Sequence, residues 1–317
     1  MKFKQLTAVL LSAGIAVSAF AQSVGVGTTP QGSMNYSMGS AVAKVITEKA
    51  KVQARVQPNS GDSVLLPLVN NGELTYGITN ITEAMDAANG SGSYGGRKNP
   101  DLRLASILIP VKTGFFVKKD SPIKTLADLR GKRITYGYTA QPAFKPILDA
   151  LLANGGLTPS DIKPTLVPNL IRGADDFSSG NADAFFFSAG AAKVTEVDAA
   201  VGGLRLLPVS TAPAAVEAMM KIYPLGYTSE IAPRPGLAGV TQPTHTLAMD
   251  LALFVGAGEK EDAVYKVVKS LAENKADLAA TFPPLNELDV AQMYKKVPMA
   301  FHPGAVRYYK ERGFIKP

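Results

Sequence analysis

The chain contains no cysteine, which excludes disulfides, thiol chemistry, iron–sulfur clusters and zinc–thiolate sites. Only two histidines occur, His245 and His302, far apart in the sequence, so no histidine pair has metal-site spacing. Neither His-Glu-x-x-His nor Gly-x-Ser-x-Gly is present, and the hydrolase signatures they mark are absent with them. No metal or cofactor is expected, and the chain is not expected to be an enzyme. Beyond Met1–Ala21 no apolar run is long enough to span a bilayer. Basic residues are not clustered either: the densest run, Arg130-Gly-Lys-Arg133, reads as a solvated turn before a strand, and nucleic acid is not an expected partner.

What is present begins with a leader. Lys2 and Lys4 precede an apolar run from Leu6 to Val17, and Ala19-Phe-Ala21 stands before Gln22. This is the pattern of a secretory signal peptide cut after Ala21, and the expected location is the periplasm. Setting aside Lys2 and Lys4, the 33 basic residues fall to 31 against 26 acidic ones, a net charge of +5. That mild balance suits anionic solutes. The remaining length suffices for one large domain or two lobes with cores of their own.

The first stretch after the leader, Val24-Gly-Val-Gly-Thr-Thr-Pro-Gln-Gly-Ser-Met-Asn-Tyr36, reads as a strand, a glycine-rich turn and a helix start. Met34, Met38, Val42 and Val45/Ile46 recur at amphipathic helix spacing. Unpaired N–H groups at such a helix start favour an anion; the alternative is an ordinary connection capped by Ser33. Gly27-x4-Gly32 has P-loop spacing, but Ser33-Met34 follows where Lys-Ser/Thr is required. Pro30 likewise stands where a dinucleotide fingerprint has its third glycine.

Strand and helix signals then alternate: a strand at 52–56, a helix opened by Ser60-Gly-Asp-Ser63, a strand Tyr76–Asn80, and a helix Ile81–Ala88. Asn89–Pro100 is expected to be a flexible surface loop. Leu102–Ile109 and Thr113–Lys118 read as extended runs broken by Pro110, suited to a crossing between lobes. The middle repeats the opening order with strands at 132–137, 162–167 and 184–188 and helices at 143–154 and 171–179. A strand at 204–209 and a helix at 212–222 follow, then an irregular Pro224–Pro243, an extended Thr246–Val255 and a helix 259–274. The tail, Met293–Lys296 and Phe301–Glu311, is expected to be helical and to pack on the first lobe.

Gly27-Thr-Thr-Pro-Gln31 and Gly137-Tyr-Thr-Ala-Gln141 share Gly-x-Thr-x-Gln between a strand and a helix. Gly72–Asn80 and Gly180–Ser188 match in the same order and at nearly the same offset, which points to two lobes of like topology. Turns at the carboxyl ends of parallel strands are where open α/β sheets bind ligands. Two facing lobes would make a clamshell for a small solute.

These features resemble the solute receptors of the TAXI branch of TRAP transporters. Carrying the resemblance are Gly27–Tyr36 with Gly39, Ser60-Gly-Asp-Ser63, Asn71-Gly-Glu-Leu74, Ile123–Arg133, Gly180-x-x-Asp183-Ala184 and His302-Pro-Gly-Ala-x-Arg-Tyr-Tyr-Lys-Glu311. The resemblance implies an α/β fold of the type II periplasmic binding protein kind, each lobe a doubly wound sheet flanked by helices with a cleft between. Lobe 1 is expected at 22–112 and 251–317, and lobe 2 at 113–250. The implied ligand is a small organic anion or amino acid, such as glutamate or a dicarboxylate, and the implied partners are the membrane subunits of a TRAP transporter. A monomer is expected.

Carried over residue by residue, the implied contacts are Thr28, Thr29, Gly32, Ser33 and Tyr36 on the first turn, Ser60 and Ser63 on the second, and Asn80 at a strand tip. Across the cleft they are Thr139, Ala140, Gln141, Phe187 and Ser188. The turn Tyr138-Thr-Ala-Gln-Pro142 departs from the Gly-Ser-Gly type frequent in relatives, and with Phe185–Phe187 it leaves room for a larger or aromatic carboxylate; the phenylalanines read more readily as buried sheet core. Ser60 and Ser63 also suit helix capping, and His302 is expected to lock the C-terminal fold. An enzyme on the same two-lobed scaffold, or a receptor feeding a membrane sensor, are the alternatives.

Overall fold

The computed structural model describes residues 23–315; the signal-peptide reading of Met1–Ala21 lies outside the described residues. The chain opens with β1 (Val24–Thr28), α1 (Met34–Glu48), β2 (Ala54–Pro58), α2 (Asp62–Asn70), β3 (Tyr76–Asn80) and α3 (Ile81–Asn89). Local chemistry sets these boundaries. Ser33 caps α1 by accepting from the Tyr36 N–H at 3.1 Å, and Asn80 caps α3 by accepting from the Glu83 N–H at 2.9 Å. Met34, Met38, Val42, Val45 and Ile46 form the buried face of α1, as their spacing requires.

Next come β4 (Leu102–Lys118), β5 (Arg133–Tyr136), α4 (Phe144–Asn154), β6 (Lys163–Leu166), α5 (Leu170–Ser178), β7 (Phe185–Ser188), α6 (Ala192–Val201), β8 (Leu204–Leu206) and α7 (Pro213–Ile222). The chain continues through β9 (Tyr227–Ile231), β10 (Thr244–Gly256), α8 (Glu261–Glu273), α9 (Lys275–Thr281) and α10 (Pro303–Glu311).

The main sheet is mixed and runs β2-β1-β3-β10-β4-β7, with β8 added on β4 and β9 on β10. β1 is parallel to both β2 and β3, whereas β10 is antiparallel to β3 and β4. A second, parallel pair, β5 and β6, joins β7's lead through the bridge Ile134–Ala184. Helices flank the strands, the α/β arrangement expected.

Two long strands carry the chain between its halves. β10 pairs with β3 over Leu251–Val255 and with β9 over Thr244–Ala248. Its register with β4 slips between Asp250 and Ala252, opposite Pro110. The two runs that Pro110 was expected to break are therefore one 17-residue strand: the irregularity removes the ladder hydrogen bond that proline cannot donate. Phe185, Phe186 and Phe187 are all buried in β7, with Phe185 stacked on Phe116 at 5.5 Å.

Three expectations are corrected. Asn89–Pro100 is tied down, because Tyr94 is buried and donates to Glu83 at 2.7 Å while the Asn99 amide donates to the Ala87 carbonyl at 3.0 Å. Pro224–Pro243 contains β9, whose backbone pairs with β10. Met293–Lys296 is not helical; Tyr294 instead joins an aromatic cluster with Phe301 and Tyr309. The helical end of the tail, α10, packs on α8 and β4, with the Tyr309 hydroxyl donating to the Ala105 carbonyl at 2.8 Å. His302 caps α10: its Nδ1 accepts from the Gly304 N–H at 3.2 Å, and its Nε2 lies 3.1 Å from the Glu259 carbonyl. Burial lowers its pKa and keeps the ring neutral. Among the described residues no helix is long and apolar enough to cross a membrane.

Candidate functional site

Five helices begin at one enclosed cavity. Its walls include the Ser33 cap and first residue of α1, the first residues of α2, α4 and α5 (Asp62, Phe144 and Leu170), and the Asn80 cap of α3. The carboxyl ends of β1, β3 and β7 deliver Thr29, Thr79 and Ser188 to the same place, and Thr113, Met249 and Leu251 come from β4 and β10. The free volume is about 30 Å³, room for one or two waters, so the walls stand closed. A larger open groove of about 580 Å³ lies against Lys118, Lys132 and Arg133. No carboxyl end of β1 or β3 reaches that groove, and the rule for open α/β sheets favours the enclosed cavity.

The residues singled out in the sequence fall into two groups. Thr29, Ser33, Asn80, Phe187 and Ser188 line the cavity. Thr29 and Ser33 share a hydroxyl–hydroxyl hydrogen bond of 2.9 Å, and Asn80 Oδ1 accepts from Tyr223 at 3.1 Å as well as from Glu83.

The others lie outside the walls. Thr28 is fully buried, donating to the Thr29 carbonyl at 3.0 Å and packing towards Gly39. Tyr36 and Ser63 are half-buried, whereas Ser60 and Thr139 are exposed. The Gly32 carbonyl accepts from the Lys193 N–H at 3.2 Å. Ala140 stands against Gly61. Gln141 is buried, and its Oε1 accepts from the Leu170 N–H at 2.9 Å, holding the start of α5.

Three of these contacts bridge the early and middle parts of the chain: Gly32 with Lys193, Gly61 with Ala140, and Asn80 with Tyr223.

Residues that sequence reasoning passed over complete the wall, among them Asp62, Thr79, Asn35 and Thr113. Asn35 donates to the Ile78 carbonyl at 3.2 Å, and Thr113 to the Leu247 carbonyl at 3.1 Å. Asp62 sits inside Ser60-Gly-Asp-Ser63, between two hydroxyl-bearing residues; Thr79 is the neighbour of Asn80 on β3. The wall facing them, from Phe144, Ile147, Leu170 and Phe187, is apolar.

Asp62 is the only titratable side chain in the walls, and no Lys, Arg or His joins it. Burial raises its pKa, and the nearby Thr79 hydroxyl offsets only part of that rise. Glu83, buried behind Asn80, is raised by burial first and then by the charge of Asp62, with the Tyr94 hydroxyl opposing.

The model of the NMT1-like family matches residues 26–313. Among solved structures, PhnD1 from Prochlorococcus marinus in complex with methylphosphonate is similar at 11% identity, over 93% of this chain and 100% of that one, with a TM-score of 0.55. XAC2383 from Xanthomonas citri bound to chloride ion is 10% identical over 91% of this chain and 95% of that one, with a TM-score of 0.51. The substrate-binding protein of an amino acid ABC transporter is 15% identical over 82% of this chain and 98% of that one, with a TM-score of 0.50. At these identities the likeness establishes the fold alone, an α/β fold shared with the substrate-binding protein of an amino acid ABC transporter.

Proposed function

The chain belongs to the NMT1-like family, and from that premise we propose that it is an extracytoplasmic solute-binding protein. It captures a small solute in the enclosed cavity and hands it to a membrane transporter, with no chemistry on the solute. The observation that carries this reading is the convergence of five helix starts and three strand ends on one cavity, walled from both parts of the chain. Helix starts offer unpaired N–H donors, and hydroxyls from Thr29, Ser33 and Ser188 add further polar contacts.

The lobes of this reading are residues 22–112 with 251–317, and residues 113–250. The change of partner strands along β10 and the slip opposite Pro110 support a hinge there. Solute enters with the lobes apart; closure then excludes water, which strengthens each polar contact, and the solute shifts the population towards the closed form. The finer reading, a TAXI receptor serving a TRAP transporter and binding a small organic anion or amino acid, rests on the sequence motifs. The protein is then a periplasmic monomer whose leader is cut after Ala21.

A thermal-shift screen of the mature protein against amino acids, carboxylates, sulfonates and phosphonates tests the reading. A saturable rise in melting temperature, followed by one-to-one binding in calorimetry, is expected. A folded protein that no solute stabilises contradicts it.

A further inference from the structure

Among the described residues, four buried side-chain polar atoms have no partner in hydrogen-bonding geometry, and two of them, Asp62 Oδ1 and Thr79 Oγ1, belong to residues lining this one cavity; the Thr79 hydroxyl lies near enough to ease the Asp62 charge without closing a hydrogen bond to it. Asp62 is 6% exposed and Thr79 fully buried. Leaving a buried acceptor unpaired is costly, the more so for a charged group, and a buried carboxylate ordinarily has a cation or several donors beside it. Here the walls supply no cation, and the acidic neighbour Glu83, itself raised to about 8, supplies no compensating positive charge.

We infer that the solute carries a protonated amine, which the Asp62 carboxylate and the Thr79 hydroxyl hold. This deepens, and rests on, the solute-binding reading of the cavity. An ammonium group has three donors and no acceptor, which fits two unpaired oxygens and compensates a buried charge. A solute with anionic groups alone would meet Asp62 as a like charge and leave it without a donor.

A purely structural role at the start of α2 explains less. A carboxylate there is favoured by the helix dipole, yet a dipole does not satisfy the hydrogen-bonding need of Oδ1. At the start of α1 the Ser33 hydroxyl takes only the Tyr36 N–H, so the Met34 and Asn35 N–H groups can receive an anionic group. A free amino acid therefore complements both parts of the wall, its ammonium on Asp62 and its carboxylate on the N–H groups opening α1. The apolar face of Phe144, Ile147 and Leu170 suits a small aliphatic body.

The test uses matched probes on the mature protein: L-leucine, its deaminated acid 4-methylpentanoate, and its decarboxylated amine 3-methylbutylamine, with the L-alanine, propionate and ethylamine set beside them. A thermal-shift library of amines and anions runs in parallel. The expected result is that amine-bearing probes bind at least tenfold tighter than their deaminated partners, with the amino acid tightest if the helix starts take its carboxylate. Asp62→Asn should lose that preference by tenfold or more, and Thr79→Val should move it in the same direction, both variants melting as cooperatively as the wild type. Equal or tighter binding of the deaminated acids, hits confined to anions, or an amine affinity untouched by Asp62→Asn would overturn the inference while leaving the solute-binding reading in place. No hit of any class on the folded protein would remove both.

Discussion

Gly61, next to the cavity residue Asp62, and Ala140 meet backbone to backbone outside the cavity walls: a Cβ placed on Gly61 would come within 3.0 Å of the Ala140 carbonyl oxygen, closer than real Cβ atoms stand. Gly61 is extended, at φ −178° and ψ 173°, a conformation open to any residue. Glycine is therefore required here by the approach of Ala140. Gly61→Ala should leave the melting temperature of the solute-free protein within a few degrees of wild type yet hold the cavity open. Solute affinity should fall by about tenfold or more, because the closed state is the one that binds. Small-angle scattering and calorimetry read the two effects; wild-type affinity in the variant would show that the contact does not gate closure.

Gln141 makes a different kind of contact. Its side chain accepts from the Leu170 N–H at 2.9 Å in a buried setting, so Gln141→Ala strands that donor. The expected loss is about 1–3 kcal/mol of folding stability, measured by urea unfolding with an unchanged m-value. An unchanged midpoint would mean that water replaces the amide.

The raised pKa of Asp62 gives a pH dependence with a defined sign. Its carboxyl holds a proton more tightly folded than unfolded. The associated stability is full below the ordinary carboxylate range, about pH 4, and is lost as pH rises through the folded value. Glu83 acts in the same direction, and His302, lowered by burial, acts in the opposite one. Comparing wild type with Asp62→Asn removes this group together with its charge effect on Glu83 and leaves His302 unchanged. In the absence of solute the variant should become progressively more stable than wild type as pH rises from about 4 through about 6. Differential scanning calorimetry across that range checks it, and a gap independent of pH would contradict the assignment.

How much of this was legible in the sequence varies with what each residue depends on. The first turn was readable because Ser33 caps by local geometry, and Met34, Met38 and Val42 repeat at the helical period. β9 escaped because Tyr227–Ile231 is polar and half-exposed, with only Ile231 buried, so its strand character comes from pairing with β10. α6 escaped for a related reason: its buried face includes Lys193, which ion pairs with Asp175 and Glu196 neutralise. Asp62 reads in sequence as one more first-turn acid. Its unpaired oxygen exists only once β3, α4 and β10 have closed around it, and spacing along the chain carries no trace of that. Gln141 likewise sits in a recognisable turn, but its bond to Leu170 depends on how α5 approaches.

The most direct test of a closing solute cavity is the melting temperature of the mature wild-type protein across a library of small amines, amino acids and organic anions. A solute at about one hundred times its dissociation constant stabilises the folded state by roughly 2.7 kcal/mol, which raises the melting temperature by several degrees. The account predicts such a rise for at least one amine-bearing solute, reduced in Asp62→Asn and in Gly61→Ala. A library-wide absence of any shift in a cooperatively folded protein would contradict it.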